Sequence, residues 1–96
     1  MMKVYTSKRE QITLSDKPMA KGGEGSVYNI ISSPIRLNNT CVKIYHSSKK
    51  KQSQEKRIKY MVNNPPQKIL GDGYMLGWPI DWVSDSSGTF LGFVMP

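Results

Sequence analysis

The chain is poor in the residues that build disulfides, metal sites and acid–base pairs. It has one cysteine, Cys41, and one histidine, His46. A single thiol excludes an internal disulfide and a cysteine zinc site, so the fold must be held by packing and hydrogen bonds; a cytoplasmic location is the default expectation. Acidic residues are also scarce, 7 against 14 lysines and arginines, for a net charge of +7. That imbalance favours anionic partners: a nucleotide, a nucleic acid or an acidic protein surface. Much of the excess falls between Lys49 and Lys59, a run that also suits a solvated helix face. No apolar run approaches the roughly 20 residues a membrane span needs. The opening Met1-Met2-Lys3-Val4-Tyr5-Thr6 is too polar for a secretion signal. Ninety-six residues with 38% hydrophobic content make one small domain with a thin core.

Against this background one stretch stands out, Ala20-Lys21-Gly22-Gly23-Glu24-Gly25-Ser26-Val27-Tyr28. Glycines at this density allow a backbone to turn through positive φ and to approach a ligand closely. A turn of this kind between strands can lay amides over phosphates, although many such turns are plain hairpins. Residues 1–11 are polar and read as a flexible arm. Ile12-Thr13-Leu14 is β-prone, Ser15-Asp16-Lys17-Pro18 is a turn, and Ser26 to Ile31 returns from the glycines with Val27 and Tyr28 on opposite faces. Thr40 to Tyr45 is the clearest strand, with Cys41, Lys43 and Tyr45 on one face and Val42 and Ile44 on the other.

Ser47 and Ser48 are N-cap candidates for a helix whose apolar stripe is Ile58, Met61 and Val62. Glu55 falls on or beside that stripe, and Lys51 and Lys59 stand four residues to either side as alternative partners. Asn63-Asn64-Pro65-Pro66 stops the helix, and a loop through Gly71, Gly73 and Gly77 follows. Trp78 to Val83 reads as a strand with Trp78, Ile80 and Trp82 on one face and Pro79 marking an edge or bulge. Asp85-Ser86-Ser87-Gly88 is a hairpin turn into a last strand, Thr89 to Met95.

In this order the motifs resemble the N-terminal, ATP-binding lobe of protein kinases, whose signature is G-x-G-x-x-G-x-V, a V-A-I-K-type strand and a helix bearing a glutamate. Gly22, Gly25 and Val27 match the glycine-rich signature, with Ala20 where its first glycine is expected. Thr40-Cys41-Val42-Lys43 matches the lysine strand, Glu55 the helix glutamate, and Phe93-Val94-Met95-Pro96 the strand that runs to the hinge. The strings Gly-Gly-Glu-Gly-Ser-Val-Tyr, Val-Lys-Ile-Tyr-His, the Asn-Pro-Pro after the helix, Trp-Pro and Gly-Phe-Val-Met-Pro are most similar to bacterial kinase-like proteins fused to helix-hairpin-helix segments.

The resemblance implies an α+β domain over residues 12–96: a five-stranded antiparallel sheet with one packed helix, without the second lobe. It implies ATP as ligand, with Mg²⁺ only if that second lobe is supplied. Its nucleotide contacts would be Lys21, Gly22, Gly23, Glu24, Gly25, Ser26, Val27, Cys41, Lys43, Met95 and Pro96, and Lys43 would form a structural ion pair with Glu55. No catalytic or metal-binding residue of the family matches here, because His-Arg-Asp and Asp-Phe-Gly are both missing. The expected function is therefore the ATP-binding lobe of a serine/threonine kinase-like protein, inactive alone and completed by a second lobe or partner protein. The alternatives are a non-catalytic, pseudokinase-like interaction module and a small basic nucleic-acid-binding domain.

Overall fold

A computed structural model describes residues 2–65 and 78–96. The glycine loop expected through Gly71, Gly73 and Gly77, together with Pro66, lies outside the described residues.

The residues expected to form an arm begin the fold. Met2–Tyr5 is strand β1, and it pairs antiparallel with β2, Gln11–Leu14. The turn between them is built by Thr6, whose buried hydroxyl accepts from the amides of Lys8 and Glu10 and donates to the Glu10 carboxylate. A short strand β3, Ala20–Lys21, enters the glycine turn, and β4, Gly25–Ser32, leaves it. After a single turn of 3-10 helix at Ile35–Leu37 come β5, Cys41–Tyr45, and α1, Ser48–Asn63. Strands β6, Asp81–Ser84, and β7, Phe90–Met95, complete the chain as a hairpin.

The strands run in the order β2-β1-β6-β7-β5-β4-β3, and β2 also pairs with β4. That extra pairing closes six of the strands into an antiparallel barrel and leaves β3 as an appended seventh. The open five-stranded sheet expected from the sequence is thereby overturned. The physical reason lies in β1 and β4. Strand β1 bridges β2 and β6, and β4 is long enough to pair first with β5, through Gly25 to Asn29, and then with β2, through Ile30 and Ser32. Bulges at Thr13/Leu14 and Val83/Ser84 add the local bend that closure demands. Closure removes the free edges that an open sheet would leave.

Two apolar clusters follow from the two faces of the wall. Val4, Ile12, Leu14, Val42, Ile44, Val83 and Val94 pack together inside the barrel, joined by Leu37 from the 3-10 turn. On the outside, Ile58 of α1 packs on Tyr45, Phe90 and Phe93, with Met61, Val62 and Trp82 around them. The alternation expected for β5 is therefore observed, Val42 and Ile44 inward and Tyr45 outward. Ser47 caps α1 by accepting the Lys50 amide at 3.0 Å. The common face expected for Trp78, Ile80 and Trp82 is not formed. Strand β6 begins only at Asp81, Ile80 packs on the inner cluster, Trp82 packs on the outer one, and the Trp78 indole donates to the Met61 carbonyl at 2.9 Å. A bend at Ile80 interrupts the two-residue period.

Strand β5 passes between two glycines. A Cβ on Gly25 would lie 2.5 Å from the Ile44 carbonyl oxygen, and one on Gly92 would fall inside the Lys43 carbonyl. Both positions need glycine because neighbouring strands approach there too closely for a side chain.

Candidate functional site

The glycine hairpin, the middle of β5 and the end of β7 converge on one open cleft of about 440 Å³, on the outer face of the barrel. Its volume falls in the range of small-molecule sites, about 300–1,000 Å³. Ala20, Lys21, Gly22, Gly23, Glu24 and Gly25 form its roof, and Val27, Lys43, Phe93 and Met95 its wall. The wall is a consequence of register. Val27 lies opposite Lys43 across β4 and β5, and Lys43 lies opposite Phe93 across β5 and β7, so the three outward side chains form one row. Met95 follows Phe93 on the same face by the two-residue period.

The roof is a tight turn in which the Gly22 amide donates to the Gly25 carbonyl at 2.9 Å. Gly22 and Gly23 do not use the positive φ that the sequence suggested; among the described glycines only Gly88 does. Nor does space demand glycine there: a Cβ on Gly23 would meet nothing within 4 Å, and one on Gly22 would make only ordinary contact with the Gly25 carbonyl at 3.7 Å. Among the described residues, the amides of Gly23 and Glu24 have no protein acceptor. Successive free amides at a turn form an anion-binding concavity.

The tip is tied to the start of α1 by three links. The His46 amide donates to the Glu24 carbonyl at 2.9 Å, Ser26 Oγ and His46 Nε2 share a 2.7 Å hydrogen bond, and Lys50 Nζ lies 3.2 Å from Glu24 Oε1. Ser26 is thus buried and turned to His46, and it does not line the cleft.

Lys43 is partly exposed, and its Nζ lies 5.5 Å from the centroid of the Tyr45 ring. The pair expected between Lys43 and Glu55 is not made. Glu55 is held instead by Lys59, one helical turn on, at 2.7 Å, and among the described residues no carboxylate pairs with Lys43. Glu55 lies between the stripe and solvent, where an i, i+4 lysine reaches it more easily than a strand does. Cys41 is buried, its Sγ 3.8 Å from the Met95 carbonyl, and burial pushes its thiol pKa up. It packs rather than lines the cleft, and Pro96 also stands outside the lining.

Of the residues expected at the nucleotide, the structure brings together Lys21, Gly22, Gly23, Glu24, Gly25, Val27, Lys43 and Met95, and leaves out Ser26, Cys41 and Pro96. Ala20 and Phe93 also line the cleft and were missed, although the two-residue period puts Phe93 on the same face of β7 as Met95. Chemically the cleft offers the amides of its roof and, within an otherwise apolar wall, Lys43, which has no carboxylate partner among the described residues. That combination suits a ligand with an anionic part and a flat apolar part. Among the described residues no group of three or more His, Cys, Asp and Glu side chains could hold a metal, and no helix is long and apolar enough to cross a membrane. In comparison with known proteins, no family model, no curated protein and no solved structure matches this chain.

Proposed function

We propose that this domain binds ATP in the cleft beneath the glycine hairpin, as the nucleotide-holding part of a protein kinase-like phosphotransferase. The observation that carries the reading is Lys43, a cation without a carboxylate partner among the described residues, standing below a turn whose Gly23 and Glu24 amides lack acceptors. In this reading the turn amides and Lys43 hold the phosphates as fixed donors and a fixed charge. Val27, Phe93 and Met95 hold the adenine by apolar contact. Mg²⁺ would supply charge neutralisation of the phosphates, and this chain offers no described carboxylate cluster to hold it. The base and the metal carboxylates of a transfer reaction would come from another segment or partner protein. An open cleft without an opposing wall gives weak affinity.

The test is an ATP titration followed on backbone amides. Shifts centred on Gly22, Gly23, Glu24, Lys43 and Met95 are expected. Lys43→Ala should weaken binding by about tenfold or more, the loss of a charged hydrogen bond. Unchanged affinity in Lys43→Ala, or shifts confined to another face, would overturn the reading.

A further inference from the structure

A second surface of different chemistry lies on the far side of α1. Lys49, Ser53, Lys56, Arg57 and Tyr60 recur at spacings of three and four residues, so they share one helix face. That face points away from Ile58, the buried residue that docks the helix. Lys49 and Lys56 have no acidic partner among the described residues, and Arg57 bonds only the neutral Gln54 amide, at 2.8 Å. The helix has a single acid, Glu55, and it is turned to Lys59. The charges of this face are all positive and extend over about 12 Å of helix from Lys49 to Arg57, at 1.5 Å per residue.

The stripe is also aromatic. Tyr60 is 67% exposed, and it borders a shallow groove of about 650 Å³ formed with Ser53, Lys56, Arg57, Met61 and Trp78. The Trp78 indole N–H is already bonded to the Met61 carbonyl, which fixes the ring beside the groove. Cations spaced along a line, beside an exposed ring, match a chain that alternates phosphates with flat bases. An acidic peptide would satisfy the cations and leave the ring without a role.

We propose that this face of α1 binds single-stranded nucleic acid, with Lys49, Lys56 and Arg57 on phosphates and Tyr60 stacked on a base. The site is separate from the cleft and does not depend on its occupant.

Fluorescence anisotropy of a labelled oligothymidylate of about 12 nucleotides, within the size range of a single binding site, tests it on the intact chain. Three phosphate contacts should make affinity fall about 20-fold between roughly 50 and 200 mM salt. Lys56→Glu with Arg57→Glu should reduce affinity at least about tenfold and flatten that salt dependence. Tyr60→Ala should cost about fivefold or more, and Tyr60→Phe should restore binding, because stacking needs the ring and not the hydroxyl. Lys43→Ala should leave binding unchanged. The altered side chains are outside both apolar clusters, so an amide spectrum will show the native fold in each variant. Absence of binding at low salt, wild-type affinity in Tyr60→Ala, equal affinity for polyglutamate, or loss of binding in Lys43→Ala would each overturn the proposal.

Discussion

Gly92→Ala is expected to be among the most damaging single-methyl changes in this chain. The added Cβ would overlap the Lys43 carbonyl oxygen, a backbone atom that cannot rotate away as a side-chain end could. Relief by sliding β7 is blocked from both sides, since Gly92 is in register with Ile44 on β5 and with Val83 on β6. In a closed barrel, moving one strand also strains the pairing on its far edge. Overpacking of a close-packed interior costs about 1–3 kcal/mol, and the backbone clash places this case at about 3 kcal/mol. For a domain of this size each kcal/mol moves the melting temperature by about 4–8 °C, so a drop of about 12–24 °C is expected. Thermal unfolding followed by circular dichroism measures it, with Gly23→Ala as the control. A Cβ there meets nothing within 4 Å and should shift melting by under about 4 °C. A Gly92→Ala variant that melts within about 4 °C of the parent, or a Gly23→Ala variant that loses as much, would refute the close-approach argument.

Ile58→Ala removes the fully buried residue that docks α1 on Tyr45, Phe90 and Phe93, and should cost about 2–5 kcal/mol. Hydrogen exchange should show lost protection in α1 before the barrel strands; uniform loss would contradict the two-cluster description. Glu10 gives a pH signature: its hydrogen bonds with Arg36 and then Thr6 hold its carboxyl below the usual value of 4.5. The stabilisation is therefore full above the ordinary carboxylate range and is lost as pH falls through the depressed folded value. Urea midpoints of the parent and Glu10→Gln should differ at neutral pH and converge on acidification; a gap that persists at the lowest pH would rule out the carboxylate as its source.

The sequence was most legible where local chemistry acts alone. The N-cap at Ser47, the Asp85–Gly88 turn, the outward face of β5 and the glycine hairpin all follow from residue type and a short period. Most residues of the cleft were expected only through the resemblance to the kinase lobe; alternation by itself says no more than that Lys43 shares a face with Cys41 and Tyr45. Ser26 and Glu55 were less legible, because their partners, His46 and Lys59, win by proximity over groups that a motif would assign.

Barrel closure could not be read from the chain. Strand β1 is short, with charged Lys3 beside a single buried valine, Val4, and nothing in Met2–Tyr5 says that it will bridge β2 and β6. The split of β4 between two partners is likewise a property of the assembled wall. Sequence determined which side chains of an unbroken strand such as β5 share a face, since the period of a strand is local. Tertiary structure decided which strands meet and where glycine is compulsory, since those depend on how closely two distant backbones approach.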